Sequence, residues 1–302
     1  MRFSVLGPLL AQEDDGSPLV LTRPSQRSTL AVLLLHAAQP PTRARLIDAL
    51  WGDAPPADAD TALRVRMSDL RRALGSSDRL VTHRYGYRLA VKPGELDSAS
   101  FGSLASAGLA ALDSGRPGDA ARLLSQAAAL WRDPPLADLP DTPQMGLVRT
   151  GLLEQRRDAQ EWLIDARLAL GQHHRALAEI RACIAADPLA EHPHVQLMLA
   201  LYRSGQKAAA LATYTRLRDL TVRELGQDPG PEARAMLEQM LADSPELMSP
   251  AKTPSAGMTY GESAPACRAP AGSRPPALRP ARGRVRLCHA DTARHARSAW
   301  QA

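Results

Sequence analysis

The sequence predicts a mainly α-helical protein, with a mixed α and β domain at the N-terminus and an all-α domain behind it. Within residues 1–92, short runs of alternating apolar residues stand before and after three helical segments. From residue 97 to residue 244, nearly every stretch has the apolar period of an amphipathic helix. Residues 245–302 are rich in Pro, Ala, Arg, Ser and Gly with hardly any apolar period, so we expect this tail to be disordered.

The first elements follow from changes in the apolar period. Residues 2–21 contain short alternating runs broken by turns, which predict a small β-meander. A helical stripe then begins near Ser25 and ends at a pair of prolines. Thr42 is a favourable N-cap for a second helix, at whose end Trp51 is expected to pack against the core.

The third predicted helix, residues 60–74, is the most informative. Its apolar residues recur at i, i+4, i+7 and i+11 and form one core-facing stripe of Leu63, Met67, Leu70 and Leu74. Two short strands, residues 80–82 and 87–89, follow around a basic and aromatic turn. This order of elements predicts a winged helix-turn-helix domain over residues 1–92. The positions off the stripe carry Arg64, Arg66, Ser68, Arg71 and Arg72.

A helix anchored along one side, with arginines on the other, fits the DNA major groove. Arginine suits this role because its planar fork binds guanine O6 and N7 together, or bridges to a phosphate. The turn of the hairpin, around Arg84, is where a wing would contact the DNA backbone or the minor groove. For an arginine-bearing helix considered alone, a merely solvated surface is the alternative explanation.

The second half contains an internal repeat. The pattern Gly-x4-Ala-Leu-Ala occurs at residues 171–178 and again at 205–212, an offset of 34 residues. This is the period of tetratricopeptide helix pairs. Gly115 and the residues after it form a looser third copy. We therefore predict a tetratricopeptide-like all-α domain over residues 97–244.

Charge is unevenly distributed along the chain. Residues 1–92 carry 13 Lys and Arg against 9 Asp and Glu, residues 93–244 carry 15 against 20, and residues 245–302 carry 9 against 3. A basic first domain suits a polyanion such as DNA. The basic tail could add non-specific DNA affinity or be inert, and the inert role is favoured.

Other classes of function find little support. The three cysteines are too few and too far apart for a disulfide framework or a cysteine metal site. The sequence has no apolar stretch typical of a signal peptide or of a membrane span, so we expect a cytoplasmic protein without a membrane partner. No catalytic motif stands out, and we expect neither enzyme activity nor a cofactor. The clustered histidines lack convergent metal ligands and are expected at the surface of helix ends: His173, His174, His192 and His194.

Seven segments resemble one known family of proteins. In chain order they are VLGPL at residues 5–9, LIDALWG at 46–52, LRRALG at 70–75, YGYRL at 85–89, PPLAD at 134–138, LMLALYRSG at 197–205 and ELGQDPGPE at 224–232. On these residues the chain resembles the Streptomyces antibiotic regulatory proteins, in which an OmpR-type winged helix is fused to a bacterial transcriptional activation domain. The larger members carry an ATPase module with a Gly-rich phosphate loop; no G-x4-G-K-[S/T] pattern occurs here, so we expect the short, nucleotide-free architecture.

The resemblance implies a sequence-specific transcriptional activator of a secondary-metabolite gene cluster. Such proteins bind direct repeats in double-stranded promoter DNA as side-by-side protomers, which implies a homodimer on DNA, and they contact RNA polymerase with its sigma factor. One departure is Asp69, where family members commonly have Arg; its carboxylate could accept from a cytosine N4 or pair with a neighbouring arginine. Carried over by position, the DNA-facing residues are Thr61, Arg64, Arg66, Ser68, Arg71, Arg72, Arg84 and Tyr87.

The role of the helical domain stays open between two hypotheses. Under the first, residues 97–244 are a scaffold for protein contacts and dimer formation, because stacked helix pairs create a concave groove. Under the second, the groove binds a small metabolite that tunes activation. Few polar groups converge in the sequence, which favours the scaffold.

Overall fold

The first half of the chain has the element order of a winged helix-turn-helix domain. The computed structural model describes residues 1–75 and 78–248 of the 302-residue chain. β1 and β2 pair antiparallel, as do β3 and β4, so strands stand before and after the three helices as predicted. The elements are β1 (Arg2–Ser4), β2 (Leu10–Gln12), α1 (Pro24–Leu35), α2 (Arg43–Trp51), α3 (Ala59–Ala73), β3 (Leu80–His83) and β4 (Gly86–Leu89).

The second half is helical throughout its described residues. Each helix from α4 to α9 packs against the next, and α10 packs back onto α8 and α9. This is the all-α arrangement that the apolar period predicted. The elements are α4 (Asp97–Asp113), α5 (Pro117–Ala128), α6 (Pro143–Ala169), α7 (His173–Ala186), α8 (Glu191–Arg203), α9 (Lys207–Leu225), α10 (Pro231–Leu241) and a 3-10 turn (Pro245–Met248).

One turn recurs at the ends of α4, α6 and α8. Gly115, Gly171 and Gly205 follow these helices with φ of +67°, +74° and +77°. Each glycine N–H, and the N–H after it, donates to a carbonyl in the last helical turn over 2.9 to 3.1 Å. This is the Schellman motif, in which glycine avoids the Cβ penalty of the left-handed conformation. The sequence repeat is thus a repeated helix stop, and the small residue five positions later is fully buried each time: Ala120, Ala176 and Ala210.

The two domains share apolar cores. Leu6, in the loop between β1 and β2, is fully buried in the cluster of the helical domain that includes Phe101. In the other direction, Leu136 and Met145 of the helical half belong to the cluster of the winged-helix domain. Burying a leucine stabilises the folded state by about 2 kcal/mol, so this contact favours one fixed arrangement of the two domains.

Two aspartates of the helical half reinforce the contact. Asp97 accepts from the backbone N–H groups of Val5 and Leu6 at 2.8 and 3.1 Å. Burial raises the pKa of the Asp97 carboxyl above its ordinary value, although these hydrogen bonds act in the opposite direction. Asp138 accepts from the Leu9 N–H at 2.7 Å and pairs with Arg27 of α1. The backbone of the β1–β2 loop is therefore held by side chains of the helical domain.

The predicted disordered tail begins with an ordered turn. Pro245–Met248 form the 3-10 turn, because Leu247 is buried in the helical core and its carbonyl accepts from Arg203 Nε at 2.6 Å. The remainder of the predicted tail, residues 249–302, lies outside the described residues. Among the helices described, none is both long and apolar enough to cross a lipid bilayer.

The prediction of surface histidines is wrong for His194. This residue is buried, and its Nε2 lies 3.0 Å from the Pro188 carbonyl. The reason is the central position of α8, which α6, α7, α9 and α10 all contact. The prediction that Trp51 packs against the core is confirmed, since it lies against the winged-helix cluster.

Candidate nucleic-acid interface

Helix α3 is held against the core along one side. Leu63, Met67, Leu70 and Leu74 are each at most 1% exposed, as the spacing predicted. Burying four such side chains contributes on the order of 8 kcal/mol relative to leaving them in water. The Asp58 side chain caps the helix by accepting from the Thr61 N–H at 2.9 Å. α3 is therefore a rigid support for the side chains on its opposite face.

That opposite face carries what we call the exposed stripe. Arg72 is 77% exposed and Val65 is 55% exposed, and Arg64 donates to the Thr61 hydroxyl at 2.7 Å. Guanidinium and hydroxyl groups can bind base edges and phosphates, and an isopropyl group can contact a thymine methyl. The exposed stripe thus carries both the hydrogen-bond donors and the apolar group that contacts in a DNA groove require. Its members are Thr61, Arg64, Val65, Ser68 and Arg72.

Arg66 lies on one flank of α3. Its guanidinium sits 4.1 Å from the ring centroid of Trp51 at the end of α2. Burial lowers the pKa of this guanidinium from its ordinary value. Cation–π stacking on a partly buried tryptophan stabilises by about 1 kcal/mol. Arg66, one of the predicted DNA-facing residues, therefore braces α3 against α2.

Arg71 lies on the other flank and contacts the wing. Its Nε donates to the Leu80 carbonyl at 3.0 Å, and its Nη2 donates to the Thr82 hydroxyl at 2.6 Å. The guanidinium also lies 5.8 Å from the ring centroid of Tyr87. These three contacts join α3 to both strands of the hairpin, so Arg71 fixes the orientation of the wing.

Asp69 pairs with arginines in this structure. One carboxylate oxygen lies 3.0 Å from Arg23 Nη1 and the other lies 3.3 Å from Arg72 Nη1. Of the two alternatives for this departure from the family pattern, the structure shows the arginine pair. The carboxylate holds Arg72 beside the N-terminus of α1 and offsets part of the local positive charge.

The wing is held against the start of α2. The Arg43 N–H donates to the Tyr85 carbonyl at 2.9 Å, and Thr42 forms a β-bridge with Gly86. A Cβ at Gly86 would lie 2.3 Å from the Pro41 carbonyl oxygen, so only glycine permits this approach. At the tip, Arg84 is exposed and its guanidinium lies 5.3 Å from the ring of Tyr85. The hairpin thus presents a cation and an exposed aromatic ring from a fixed backbone.

Tyr87 is placed differently from its predicted role. The residue is 4% exposed and belongs to the winged-helix core. The signal for this was present, because the two-residue period of β4 puts Tyr87 on the same face as the buried Leu89 and opposite the exposed Arg88. The Tyr87 ring packs near the Arg71 guanidinium, and the residue exposes little surface to a ligand.

Two further arginines, Arg43 and Arg45, were missed by the sequence reasoning. Both are exposed in the first turn of α2, where the Thr42 hydroxyl accepts from the Arg45 N–H at 3.3 Å. Arg43 lines a cavity of about 240 Å³ together with Arg64 and Tyr87, which places it beside the exposed stripe. Their position in the sequence could have indicated this role. Cations at a helix N-terminus are unfavourable because they oppose the helix dipole, whereas a bound phosphate is favourable there.

The interface therefore divides the predicted residues into three groups. Thr61, Arg64, Ser68 and Arg72 lie on the exposed stripe and Arg84 at the wing tip; Arg66 and Arg71 are braces; Tyr87 is buried. Arginine, serine and threonine side chains are not a metal-ligand set. Within residues 1–75 and 78–248, no group of three or more His, Cys, Asp and Glu is arranged to hold a metal ion.

Two family models match the chain, one for each domain. Residues 16–89 match the model described as transcriptional regulatory protein, C terminal. Residues 96–241 match the bacterial transcriptional activator domain. The structure of Mycobacterium tuberculosis EmbR in complex with a low-affinity phosphopeptide is also similar, with a TM-score of 0.76 and 34% identity, covering 81% of this chain and 65% of that one.

Two regulatory proteins from Streptomyces are similar to this chain over most of its length. The regulatory protein AfsR of Streptomyces coelicolor is 41% identical over 82% of this chain and 25% of its own length. The chain thus spans about a quarter of the AfsR proteins that it matches. The regulatory protein DnrI of Streptomyces peucetius is 33% identical over 82% of this chain, and the match covers 94% of DnrI. With both domains matched in order and DnrI matched over nearly its whole length, the chain belongs to the Streptomyces antibiotic regulatory protein family.

Proposed function

We propose that this protein is a sequence-specific transcriptional activator of a secondary-metabolite gene cluster, and that it acts by binding rather than by catalysis. The exposed stripe is the observation that carries the proposal. A helix with four buried apolar residues on one side and two arginines, a serine, a threonine and a valine on the other is built to enter a groove.

The groups divide into base-contacting and phosphate-contacting sets. Arg64, Ser68 and Arg72 stand along the exposed stripe, where an α-helix in the major groove meets base edges. Arg43, Arg45 and Arg84 stand at the start of α2 and at the wing tip, which are hydrogen-bonded to each other, and there they would contact the DNA backbone. Phosphate contacts fix the position of the protein on DNA, and base contacts select the sequence.

The helical domain would present its surface to RNA polymerase and its sigma factor. Because Leu6 and the loop around it are buried against this domain, a protomer bound to DNA carries the helical domain at a set position. Two protomers on direct repeats would then face the same way along the promoter, as a side-by-side homodimer on DNA. Inserting half a helical turn between the repeats should abolish activation in a transcription assay with purified polymerase, and unchanged activation would argue against the paired arrangement.

The binding test uses fluorescence anisotropy with duplexes from the promoters flanking the gene and shuffled duplexes of the same composition. We expect tighter binding to one promoter duplex and a footprint that covers two direct repeats. Arg72→Ala should weaken the specific complex. Arg116→Ala is the matched control, because Arg116 makes an exposed i,i+3 ion pair with Asp119 just as Arg72 does with Asp69. Equal affinity for promoter and shuffled duplexes at low salt would overturn the proposal.

A further inference from the structure

One line of residues on α3 points directly away from the core. The core-facing residues of this helix begin at Leu63 and recur at i+4, i+7 and i+11. A second line with the same spacing begins two residues earlier. Because each residue turns an α-helix by about 100°, this second line lies about 160° around the helix axis from the buried one. We call it the outer line, and its members, all exposed, are Thr61, Val65, Ser68 and Arg72.

Val65 is the apolar member of the outer line, and it is 55% exposed. It belongs to none of the apolar clusters formed by the described residues. Its neighbours one turn away on this side are polar, namely Thr61 before it and Ser68 and Asp69 after it. Valine is also a poorer helix former than alanine, since branching at Cβ restricts its rotamers. Neither packing nor helix stability therefore accounts for a valine at this position.

The major groove offers such a side chain a specific counterpart. The 5-methyl group of thymine is the apolar group at the base edges, whereas guanine, adenine and cytosine present acceptors and donors there. An isopropyl group placed against those polar edges would leave them without hydrogen-bond partners, which is unfavourable. Placed against the thymine methyl, both apolar groups leave water together. Valine thus favours thymine and disfavours the other bases at the position that it contacts.

The surroundings of Val65 suit this role. Its own χ1 angle is nearly fixed in a helix, so its two methyl groups hold one position without further ordering. On the same face, Arg64 donates to the Thr61 hydroxyl at 2.7 Å, and Arg72 lies 3.3 Å from Asp69. These two guanidiniums can bind guanines or phosphates on either side of the valine. The outer line therefore places an apolar group between cations that would hold it against the bases.

We propose that Val65 selects a thymine in each promoter repeat through the 5-methyl group of that base. The inference rests on the proposed function, because it names one base that the exposed stripe distinguishes when the protein is bound to its promoter.

The test uses fluorescence anisotropy of the full chain on the promoter duplex that it binds most tightly. Each thymine inside the footprint is replaced in turn by deoxyuridine, which removes the 5-methyl group and keeps every hydrogen-bonding group of the base pair. We expect one position in each repeat where the exchange raises the Kd of the wild type about fourfold, as burial of a single methyl group contributes. The exchange at the other thymines should have little effect.

Two variants assign the effect to one side chain. Val65→Ala should fold normally, because alanine is the better helix former at an exposed site, and circular dichroism checks this. It should bind the thymine and deoxyuridine duplexes equally at the position where the wild type distinguishes them. Val222→Ala is the matched control, because Val222 is a helical valine of α9 that is 47% exposed and lies outside the interface. This control should distinguish the two duplexes as the wild type does.

The outcomes separate this inference from the proposed function. If the wild type binds the promoter specifically but binds every deoxyuridine duplex as tightly as the thymine duplex, the inference alone is overturned. The same holds if Val65→Ala keeps the wild-type distinction, because another group then contacts the methyl. Equal affinity of the wild type for promoter and shuffled duplexes would overturn the proposed function and the inference with it.

Discussion

Arg71 and Arg72 are adjacent in sequence, yet their alanine variants should fail in different ways. Arg71 joins α3 to the wing through the Leu80 carbonyl, the Thr82 hydroxyl and the ring of Tyr87. Arg72 is 77% exposed on the stripe. We expect Arg71→Ala to lower the free energy of unfolding and Arg72→Ala to lower DNA affinity at nearly unchanged stability.

The magnitudes follow from these contacts. Two hydrogen bonds from a partly exposed charged donor contribute about 1 kcal/mol each, and the cation–π contact adds about 0.5 kcal/mol. Arg71→Ala should therefore reduce the free energy of unfolding by roughly 2.5 kcal/mol. The exposed pair of Arg72 with Asp69 contributes less than about 0.5 kcal/mol. If Arg72 contacts a base, its loss should cost about 1–3 kcal/mol of binding, or roughly 5- to 150-fold in Kd.

The assay is urea unfolding followed by tryptophan fluorescence, together with anisotropy on the specific duplex at a temperature where both variants are folded. Arg71→Ala should shift the unfolding midpoint downward, and any weaker binding should come from a displaced wing. Arg72→Ala should unfold with the wild-type midpoint and bind more weakly. If Arg72→Ala were the destabilised variant, or Arg71→Ala kept the wild-type midpoint, the division into stripe and brace would be refuted.

Three other perturbations test the fold and its charges. Leu6→Ala should lower the free energy of unfolding by about 3 kcal/mol because the side chain is buried between the domains, whereas Leu10→Ala, at an exposed site, should have little effect in the same urea titration. Gly86→Ala should destabilise by about 2 kcal/mol, since its Cβ would overlap a backbone carbonyl, and circular dichroism melts should show no such loss for Gly118→Ala, which has open space around it. Burial opposes the charging of His192, but its hydrogen bonds to Asp165 and Glu232 outweigh this and raise its pKa from 6.5 to about 10. The stabilising contribution of this bridge is therefore complete below pH 6.5 and is lost as the pH rises through 10. The urea midpoint of the wild type should fall over this interval relative to that of His192→Gln, and parallel curves would exclude the charged bridge.

The buried side of α3 could be predicted from the sequence because it depends on local geometry. The spacing of Leu63, Met67, Leu70 and Leu74 matches the helical period, and this period is the same in every protein. The Thr42 cap is local in the same sense, because it acts on an N–H within the next turn. The repeated glycine stops bond back to carbonyls of the preceding helical turn. These features depend on neighbours within a few residues and are visible without a structure.

The sequence alone could not show which arginines of α3 stay exposed and which contact neighbouring elements. The helical period places Arg66, Arg71 and Arg72 off the apolar stripe, but it does not say what lies beside each of them. Trp51 of α2 covers Arg66, and the wing covers Arg71. Arg72 is paired with Asp69 at the surface and stays 77% exposed. Tyr87 shows the opposite case, because the alternation in β4 already indicated its burial and the positional resemblance pointed elsewhere.

The sequence by itself determined which side of α3 faces the core, where the repeated glycines stop the helices, and the order of the two domains. The tertiary structure decided which arginines are braces and why Leu6 is buried under a second domain. The physical reason is range: periodicity and capping act over a few residues, whereas the environment of a side chain is set by elements far away in the chain.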